Sequence, residues 1–250
     1  MTYYNYYNQE NMEQNSKMKN HSLSEKHPTT VQYYVKASFT ITYILLLTTG
    51  TITFVEAMRT KIPEVRHVLN LETCISIIAG YFYSNFIKEI DAFSKDYKPI
   101  DWEYITKTRY IDWTITTPLM LLTLSIVLSY NLGKKVSVFI ILPIIILNYS
   151  MLYIGYLGET KVLDRWTASF LGFIPFIGMF YILFKNYLKP KYVFANYMFY
   201  SIYLVVWGLY GIVYLFNAEY KNIMMNILDC IAKCLVGLGL WLYYSKIITL

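Results

Sequence analysis

Five ionisable residues lie inside long apolar stretches of this 250-residue chain, where charge is costly. They are Glu72, Arg109, Asp112, Asp229 and Lys233. Arg109 and Asp112 are three residues apart, and Asp229 and Lys233 are four apart, so each pair shares one face of a helix. The spacing therefore predicts that two acids, one arginine and one lysine form a compact buried cluster.

Two interpretations of this cluster are open from the residues alone. In the first, a static network of ion pairs joins two helices. Buried ion pairs are weak evidence for stability, however, because aliphatic residues at the same positions would usually stabilise the fold as well. Alternatively, a lysine amine in the middle of a membrane condenses with a carbonyl compound, and adjacent carboxylates keep the resulting Schiff base protonated. Because intramembrane charge is expensive, we favour the second interpretation, in which Lys233 is the reactive amine.

The rest of the chain must supply membrane-spanning helices to hold this cluster. Apolar residues make up 56% of the sequence and charged residues only 15%, against about a quarter in soluble domains. This composition excludes a disordered chain, a charge-driven nucleic-acid-binding domain and a small disulfide scaffold. Apolar windows long enough to cross roughly 30 Å of hydrocarbon recur along the chain. They cover about residues 31–57, 68–90, 102–130, 136–157, 163–187, 192–216 and 221–247.

The charge of the connections predicts the topology, because basic loops remain on the cytoplasmic side. The first, third and fifth connections hold a basic excess against the single acid Glu64: Arg59, Lys61, Arg66, Lys134, Lys135, Lys185, Lys189 and Lys191. The other three connections are nearly balanced. We therefore predict an all-α membrane protein, a seven-transmembrane-helix bundle with its N-terminus outside and its C-terminus cytoplasmic. The bundle is expected over residues 31–250, after a polar, mobile N-terminal tail over residues 1–30.

Two runs of residues resemble motifs of a known family. The run RYIDWTITTPLMLLTL (109–124) resembles the third helix of microbial rhodopsins, and LDCIAKCLVGLGLW (228–241) resembles their seventh helix. The stretches TYILLLTTGTITFVEAMRT and LNLETCISIIAGYFY resemble the rhodopsins of giant viruses, one group of which acts as light-gated cation channels. The resemblance covers the chain from about residue 31 onward, and it implies a seven-helix fold with covalently bound all-trans retinal.

The resemblance also implies a role for each member of the cluster. Lys233 resembles the lysine that binds retinal as a protonated Schiff base, and Asp112 resembles the primary counter-ion and proton acceptor. Asp229 resembles the second counter-ion. Arg109 resembles the arginine that orients water in the outer half-channel, and Thr116 stands one turn after Asp112, where it would assist proton transfer.

Further residues are expected to surround the retinal. The run WGLYGIVY (207–214) resembles the family signature of helix six, with Gly211 in place of the usual proline and Tyr210 directed towards Asp229. For each aromatic residue, ordinary core packing is the alternative. The residues that the resemblance places near retinal are Trp113, Thr116, Thr117, Met120, Met151, Gly155, Gly172, Phe173, Phe176, Trp207, Tyr210 and Tyr214.

Helices two and three carry the residues that distinguish a pump from a channel. Outward proton pumps of the family usually place a carboxylate eleven residues after the acceptor, about 16 Å inward, where this chain has Thr123. Glu72, one to two turns from the cytoplasmic end of helix two, is expected to approach Thr123. It would then be a displaced proton donor or a carboxylate gating a cation path, unless it snorkels to the cytoplasmic surface. Tyr83 resembles a tyrosine near the second counter-ion, and we group it with the ion path.

We therefore predict a light-gated cation channel in which the Schiff-base proton moves to Asp112 after retinal isomerisation. The alternative is an outward proton pump, weak or slow because Thr123 replaces the donor carboxylate. A photosensor ranks third, since it would usually need a transducer or a signalling tail. We expect no enzyme activity, no catalytic or metal site and no nucleic-acid partner. The expected partners are the lipid bilayer and transported cations or protons. We expect a multi-pass membrane protein, located in a host cell membrane if the chain is viral. A homo-oligomer is possible.

Overall fold

A computed structural model describes residues 30–95 and 100–247, and seven helices account for nearly all of them. The predicted tail lies outside the described residues, except that Thr30 begins the first helix. In chain order, the helices are α1 (Thr30–Arg59), α2 (Pro63–Lys95), α3 (Trp102–Asn131), α4 (Val138–Glu159), α5 (Arg165–Leu183, continued by the π-helical turn Phe184–Leu188), α6 (Phe194–Val213) and α7 (Ala218–Asp229, the π-helical turn Cys230–Leu235, and Val236–Tyr244).

Six of these helices, all except α2, are long and apolar enough to cross a membrane. The α2 helix has 33 residues and carries charge near both of its ends, in addition to Glu72. At 1.5 Å per residue it extends over about 50 Å, so its charged ends reach beyond the roughly 30 Å of hydrocarbon. The prediction of an all-α, seven-helix membrane fold is confirmed.

Polar caps define where several helices begin. The side chains of Asp101, Asp164 and Asn217 each accept a hydrogen bond from the main-chain N–H three residues later, at the starts of α3, α5 and α7. After α3, Gly133 adopts a left-handed conformation with φ of 65°, which glycine enters without steric cost. We call the end of the bundle where α3, α5 and α7 begin the Arg109 half, and the opposite end the Glu72 half.

The boundaries differ from the predicted windows mainly in α2 and α7. The α2 helix begins at Pro63 rather than at residue 68, and α7 runs from Ala218 to Tyr244 rather than over 221–247. Glu72 therefore lies nine residues, or about 14 Å, inside α2. This is deeper than the one to two turns expected from the sequence.

Of three clusters of buried apolar side chains among the described residues, the two largest hold most of the helices together. The larger cluster packs α3, α5, α6 and α7 around Trp113, Phe180 and Trp207. The smaller one packs α1 against α2 around Phe39 and Phe86. The buried ionisable residues of α3 and α7 lie between these two clusters, so both faces of the polar centre are covered by apolar packing.

Candidate functional site

Lys233 lies in the π-helical turn of α7 and is only 1% exposed. Its Nζ donates a hydrogen bond to Oδ2 of Asp112 on α3 at 2.8 Å. Oδ2 of Asp229, four residues earlier on α7, lies 3.5 Å from the same nitrogen. π-Helical turns are rare and are found frequently at functional sites. The two pairs expected from sequence spacing thus meet in one buried cluster, with Lys233 between the two acids.

Both carboxylate oxygens of Asp229 accept hydrogen bonds, whereas only one carboxylate oxygen of Asp112 does so among the described residues. Tyr83 donates to Oδ2 of Asp229 at 2.6 Å, and Tyr210 donates to Oδ1 at 2.5 Å. Nη1 of Arg109 lies 3.4 Å from Oδ2. By contrast, Oδ1 of Asp112 accepts no hydrogen bond from any residue that the structure describes. Asp229 therefore has the donors and the nearby cation that favour an ionised carboxylate, whereas one oxygen of Asp112 has no hydrogen-bond partner among the described residues.

The guanidinium of Arg109 is anchored to α7. Its Nη2 donates to Oδ1 of Asn222 at 3.1 Å and to Oδ1 of Asn226 at 2.8 Å. The rings of Phe39 and Phe86 lie 5.4 and 5.3 Å from its Cζ, within cation–π range. A buried arginine with this many partners has little freedom to change its position.

The sequence reasoning missed Asn222 and Asn226. The signal was present, because these two residues and Asp229 recur at spacings of four and three, which places them on one face of a helix. Asn226 is itself held by α1, since its Nδ2 donates to Oγ of Ser38 at 2.9 Å. The polar network therefore extends from α7 to α1 as well as to α2 and α3.

The two threonines after Asp112 have different roles. Oγ1 of Thr116 donates to the main-chain carbonyl of Asp112 at 2.9 Å, and Thr116 does not line the cavity described below. Because Oγ1 of Thr117 donates in the same way to the carbonyl of Trp113 at 2.7 Å and Thr117 still lines the cavity, the expected place of Thr116 beside retinal stays a prediction. Oγ1 of Thr117 accepts a hydrogen bond from Nδ2 of Asn148 on α4 at 2.8 Å. Asn148 is fully buried, and as a polar residue in a strongly apolar helix it could have been recognised from the sequence.

A largely apolar cavity lies between α3, α4, α5, α6 and α7 and reaches Lys233. Apart from Thr116, the residues expected beside retinal all line it: Trp113, Thr117, Met120, Met151, Gly155, Gly172, Phe173, Phe176, Trp207, Tyr210 and Tyr214, together with Lys233. Lining residues that the sequence reasoning missed are Tyr110, Leu152, Ala168, Ser169, Met225 and Ala232.

Gly211 on α6 allows close packing against α5. A methyl group built at this position would lie 2.5 Å from Cζ of Phe173, well inside van der Waals contact. Trp207 and Tyr210, on the same helix, line the cavity as the resemblance implied. The glycine that replaces the usual proline of helix six thus makes room for the Phe173 ring beside the cavity.

Glu72 is buried in the Glu72 half of the bundle, with an exposure of 1%. Its carboxylate lies against α7, since a methyl group built at Gly237 would come 2.8 Å from Oε2 of Glu72. The alternative in which Glu72 snorkels to the surface is therefore wrong, because α2 begins earlier than expected and buries this residue. Thr123 is also fully buried, and its Oγ1 has no hydrogen-bond partner among the described residues.

A second buried ion pair lies in the Arg109 half. Nζ of Lys221 on α7 donates to both carboxylate oxygens of Glu159 at 2.7 and 2.8 Å, and the two side chains are 3% and 7% exposed. Nη2 of Arg165 lies 3.5 Å from Glu159, and the ring of Tyr214 lies about 6 Å from both cations. Glu159 is the last residue of α4, and contact with Lys221 leaves its side chain only 7% exposed.

These features define an integral, multi-pass membrane protein with an apolar small-molecule cavity that reaches a buried lysine and its acidic partners. The family model described as bacteriorhodopsin-like protein matches residues 34–247, and the chain belongs to this family. Retinal binding through a Schiff base and transport of ions or protons are properties of the family. Its members are photoreceptors, pumps or channels rather than typical enzymes.

Individual relatives resemble the chain to different extents. The crystal structure of viral rhodopsin OLPVRII is 42% identical with a TM-score of 0.80, over 86% of this chain and 99% of that one. Bacteriorhodopsin of Halobacterium salinarum is 25% identical over 224 residues, or 81% of this chain and 80% of that protein. A green-light absorbing proteorhodopsin of gamma-proteobacterium EBAC31A08 is 28% identical over 152 residues. That match spans 54% of this chain and 60% of the proteorhodopsin, less than two thirds of its length.

Proposed function

We propose that this chain is a retinal photoreceptor in which Lys233 holds all-trans retinal as a protonated Schiff base. The apolar cavity fits a polyene, and a lysine amine at its wall fits the single aldehyde of that ligand. Trp113 and Trp207 would hold the polyene between them, with Met120 and Phe176 as further apolar contacts. When bound, retinal supplies the light-absorbing group whose isomerisation drives proton movement.

Asp112 is the proposed acceptor of the proton that leaves Nζ of Lys233. Their contact of 2.8 Å is short enough for direct transfer, and Oδ1 of Asp112 has no competing partner among the described residues. Asp229 is farther away, and the hydroxyls of Tyr83 and Tyr210 already occupy its oxygens. This difference between the two carboxylates is the observation that carries the proposal.

Asp229 and Arg109 have a supporting role in this scheme. Asp229 stays ionised throughout and faces both Lys233 and Arg109. When the proton moves from Nζ of Lys233 to Asp112, both groups become neutral, so Arg109 is left as the cation beside Asp229 while Asn222 and Asn226 hold its guanidinium in place. The hydrogen bonds of Arg109 with Asn222 and Asn226 therefore connect the site of proton transfer with the polar residues of the Arg109 half.

We further propose that the transfer opens a cation path, so that the chain acts as a light-gated cation channel. Thr123 offers no carboxyl group, so the state in which Asp112 holds the proton would persist long enough for ions to pass. Glu72 supplies a carboxylate in the Glu72 half, and acidic side chains are a common means of selecting cations. With the N-terminus outside, as the loop charges predict, this half faces the cytoplasm.

An outward proton pump is the second candidate, and the position of Glu72 favours it. The carboxyl group lies beside Gly237, only four residues after Lys233 on α7, which suits a group that returns a proton to that lysine. The hydrogen bonds that hold Arg109 close the opposite half, as one-way transport requires. Pump and channel thus share the acceptor Asp112 and differ in the part assigned to Glu72.

Two measurements test these proposals. Purified protein should become coloured with all-trans retinal, and Lys233→Ala should remain colourless, while Lys221→Arg, at a buried lysine outside the cavity, should still be coloured. Colourless wild-type protein would refute retinal binding. Photocurrents recorded under voltage clamp then separate the two activities, since channel currents reverse sign with voltage. Currents of one sign across the whole range would exclude the channel and support the pump.

A further inference from the structure

The side chain of Asn226 joins α7 to three other helices. Its Oδ1 accepts hydrogen bonds from Nη2 of Arg109 on α3 at 2.8 Å and from the hydroxyl of Tyr83 on α2 at 3.0 Å. Its Nδ2 donates to Oγ of Ser38 on α1 at 2.9 Å. Because Asn226 is fully buried, bulk water does not compete for these hydrogen bonds. One amide group thus connects α1 with the charged cluster of α3 and α7.

The two ends of this amide cannot be exchanged. A guanidinium group has N–H donors and no acceptor, so it can face only the oxygen of an amide. The NH₂ end of Asn226 then points away from Arg109 and needs an acceptor of its own. Oγ of Ser38 is that acceptor, because it gives its proton to the main-chain carbonyl of Val35 at 2.7 Å and keeps its lone pairs for Nδ2. The hydroxyl of Ser38 therefore sets the orientation of the amide.

A second hydroxyl of α1 holds the main chain of Asn226. Oγ1 of Thr42, one turn after Ser38, donates to the carbonyl of Ser38 at 2.8 Å and lies 3.4 Å from the carbonyl oxygen of Asn226. Ser38 and Thr42 thus share the face of α1 that contacts α7. The first helix carries none of the five ionisable residues buried in the spans, yet it fixes the amide on which one of them depends.

Arg109 depends on this amide for its position. The contact with Asn226 is the shortest of its hydrogen bonds at 2.8 Å, since those to Asn222 and Tyr83 are each 3.1 Å long. In this position Nη1 lies 3.4 Å from Oδ2 of Asp229. A cation held beside buried carboxylates favours their ionised form.

We propose that Ser38 and Asn226 are positioning residues for the light-driven proton transfer. Ser38 orients the Asn226 amide, and the amide holds Arg109 where its charge keeps Asp112 ionised and ready to accept a proton. Both residues act through Arg109 rather than on the transferred proton. The inference rests on the proposed retinal function, because it concerns the acceptor of that scheme, and it holds for pump and channel alike.

The pH at which the dark pigment changes colour measures the effect on Asp112. Protonation of Asp112 in the dark removes the anion beside the protonated Schiff base, and this shifts the absorption maximum. The charged and titratable side chains around Asp112 are kept in every variant proposed below, so a shifted midpoint reports how Arg109 is held. They are Tyr83 on α2, Arg109 on α3, Tyr210 on α6, and Asp229 and Lys233 on α7.

Asn226→Leu removes the amide at nearly constant volume. A cation next to a carboxylate moves its titration by roughly one to three pH units, and here Arg109 is loosened rather than lost. The midpoint of the colour change should therefore rise by about one pH unit, which is a tenfold lower proton concentration. An unchanged or lowered midpoint would overturn the proposal.

Ser38 provides a second variant, a rescue and a matched control. Ser38→Ala should raise the midpoint by less, equivalent to about a threefold lower proton concentration, because a neutral hydrogen bond is weaker than one to a charged group. Ser38→Thr keeps the hydroxyl and should titrate as wild type. So should Thr40→Val on the same helix, since Oγ1 of Thr40 donates to the carbonyl of Lys36 at 2.9 Å within α1.

The double variant Ser38→Ala with Asn226→Leu separates positioning from a general loss of packing. Because Ser38 acts through the amide, the double variant should have the midpoint of Asn226→Leu alone. Two shifts that add would contradict this order of action. If Asn226→Leu does not fold, Ser38→Ala and its rescue by Ser38→Thr test the same link.

A measurement without retinal distinguishes failure of this proposal from failure of the retinal function. Nitrogen-15 NMR of the Arg109 guanidinium in retinal-free protein should give a different spectrum for Ser38→Ala than for wild type, and the wild-type spectrum for Thr40→Val. Colourless wild-type protein would refute the retinal function, whereas identical guanidinium spectra for Ser38→Ala and wild type would overturn the positioning role.

Discussion

Nζ of Lys233 lies 2.8 Å from Oδ2 of Asp112, although the two residues are on different helices and 121 positions apart in the chain. Asp229, only one turn away from Lys233 on the same helix, is farther at 3.5 Å. The nearer acid along the chain is thus the more distant one in space. This relationship assigns different tasks to the two acids, and it leads to predictions that distinguish them.

Asp112→Asn and Asp229→Asn should have different effects on light-driven proton transfer. Asp112→Asn removes the acceptor, so the rate at which Lys233 loses its proton after a flash should fall by about 100-fold or more. Asp229→Asn retains the acceptor, so transfer to Asp112 should still occur. Transient absorbance and infrared bands of a protonated carboxyl group measure both. Loss of transfer in Asp229→Asn alone would reverse the assignment.

The hydroxyl of Tyr83 should stabilise the folded protein through its bond to Asp229. Because hydrogen bonds to charged groups contribute about 1.5–3 kcal/mol, Tyr83→Phe should lower the free energy of unfolding by that amount. Tyr203→Phe is a matched control, since the buried hydroxyl of Tyr203 has no partner among the described residues. Reversible unfolding in detergent or lipid discs measures both variants. If both variants lost the same free energy of unfolding, the hydrogen bond from Tyr83 to Asp229 would not contribute to stability.

Breaking the ion pair between Lys221 and Glu159 should destabilise the Arg109 half. Lys221→Met leaves the Glu159 carboxylate with Arg165 as its remaining, more distant cation. The free energy of unfolding should therefore fall by about 3 kcal/mol, the lower end of the range for a broken buried ion pair. The double variant Lys221→Met with Glu159→Gln removes the unpaired charge and should recover most of that loss. Thermal unfolding of the three proteins provides the comparison, and a double variant no more stable than Lys221→Met would contradict the argument.

Gly211→Ala should disturb the cavity wall, whereas Gly208→Ala on the same helix should not. The added methyl group at 211 would press on Cζ of Phe173 at 2.5 Å, while at 208 the nearest atom, Cζ of Phe176, lies at an ordinary 3.8 Å. Overpacking of this kind typically costs about 1–3 kcal/mol. We expect a lower unfolding temperature and a shifted absorption maximum for Gly211→Ala only. Identical spectra and stabilities for the two variants would show that Phe173 moves aside freely.

Much of this protein could be predicted from local sequence patterns. Apolar windows and charged breaks located the helices to within a few residues at most ends, because length and hydropathy are properties of continuous segments. The spacing of Asp229 and Lys233 predicted a shared face for the same reason. The residues that the motifs of α3 to α7 placed near retinal line the cavity, except for Thr116, and six further lining residues were not predicted.

Contacts between distant segments were decided by the tertiary structure. No pattern along α7 indicates that Lys233 would lie closer to Asp112 than to Asp229, or that Asn222 and Asn226 would hold Arg109. Likewise, the burial of Glu72 depends on Gly237, which lies 165 residues later in the chain. The sequence by itself therefore determined which residues carry charge and which helix faces they occupy, since both follow from composition and periodicity. Which charges meet depends on how separate helices pack, because hydrogen bonds and ion pairs act over a few ångströms and only the assembled bundle sets those distances.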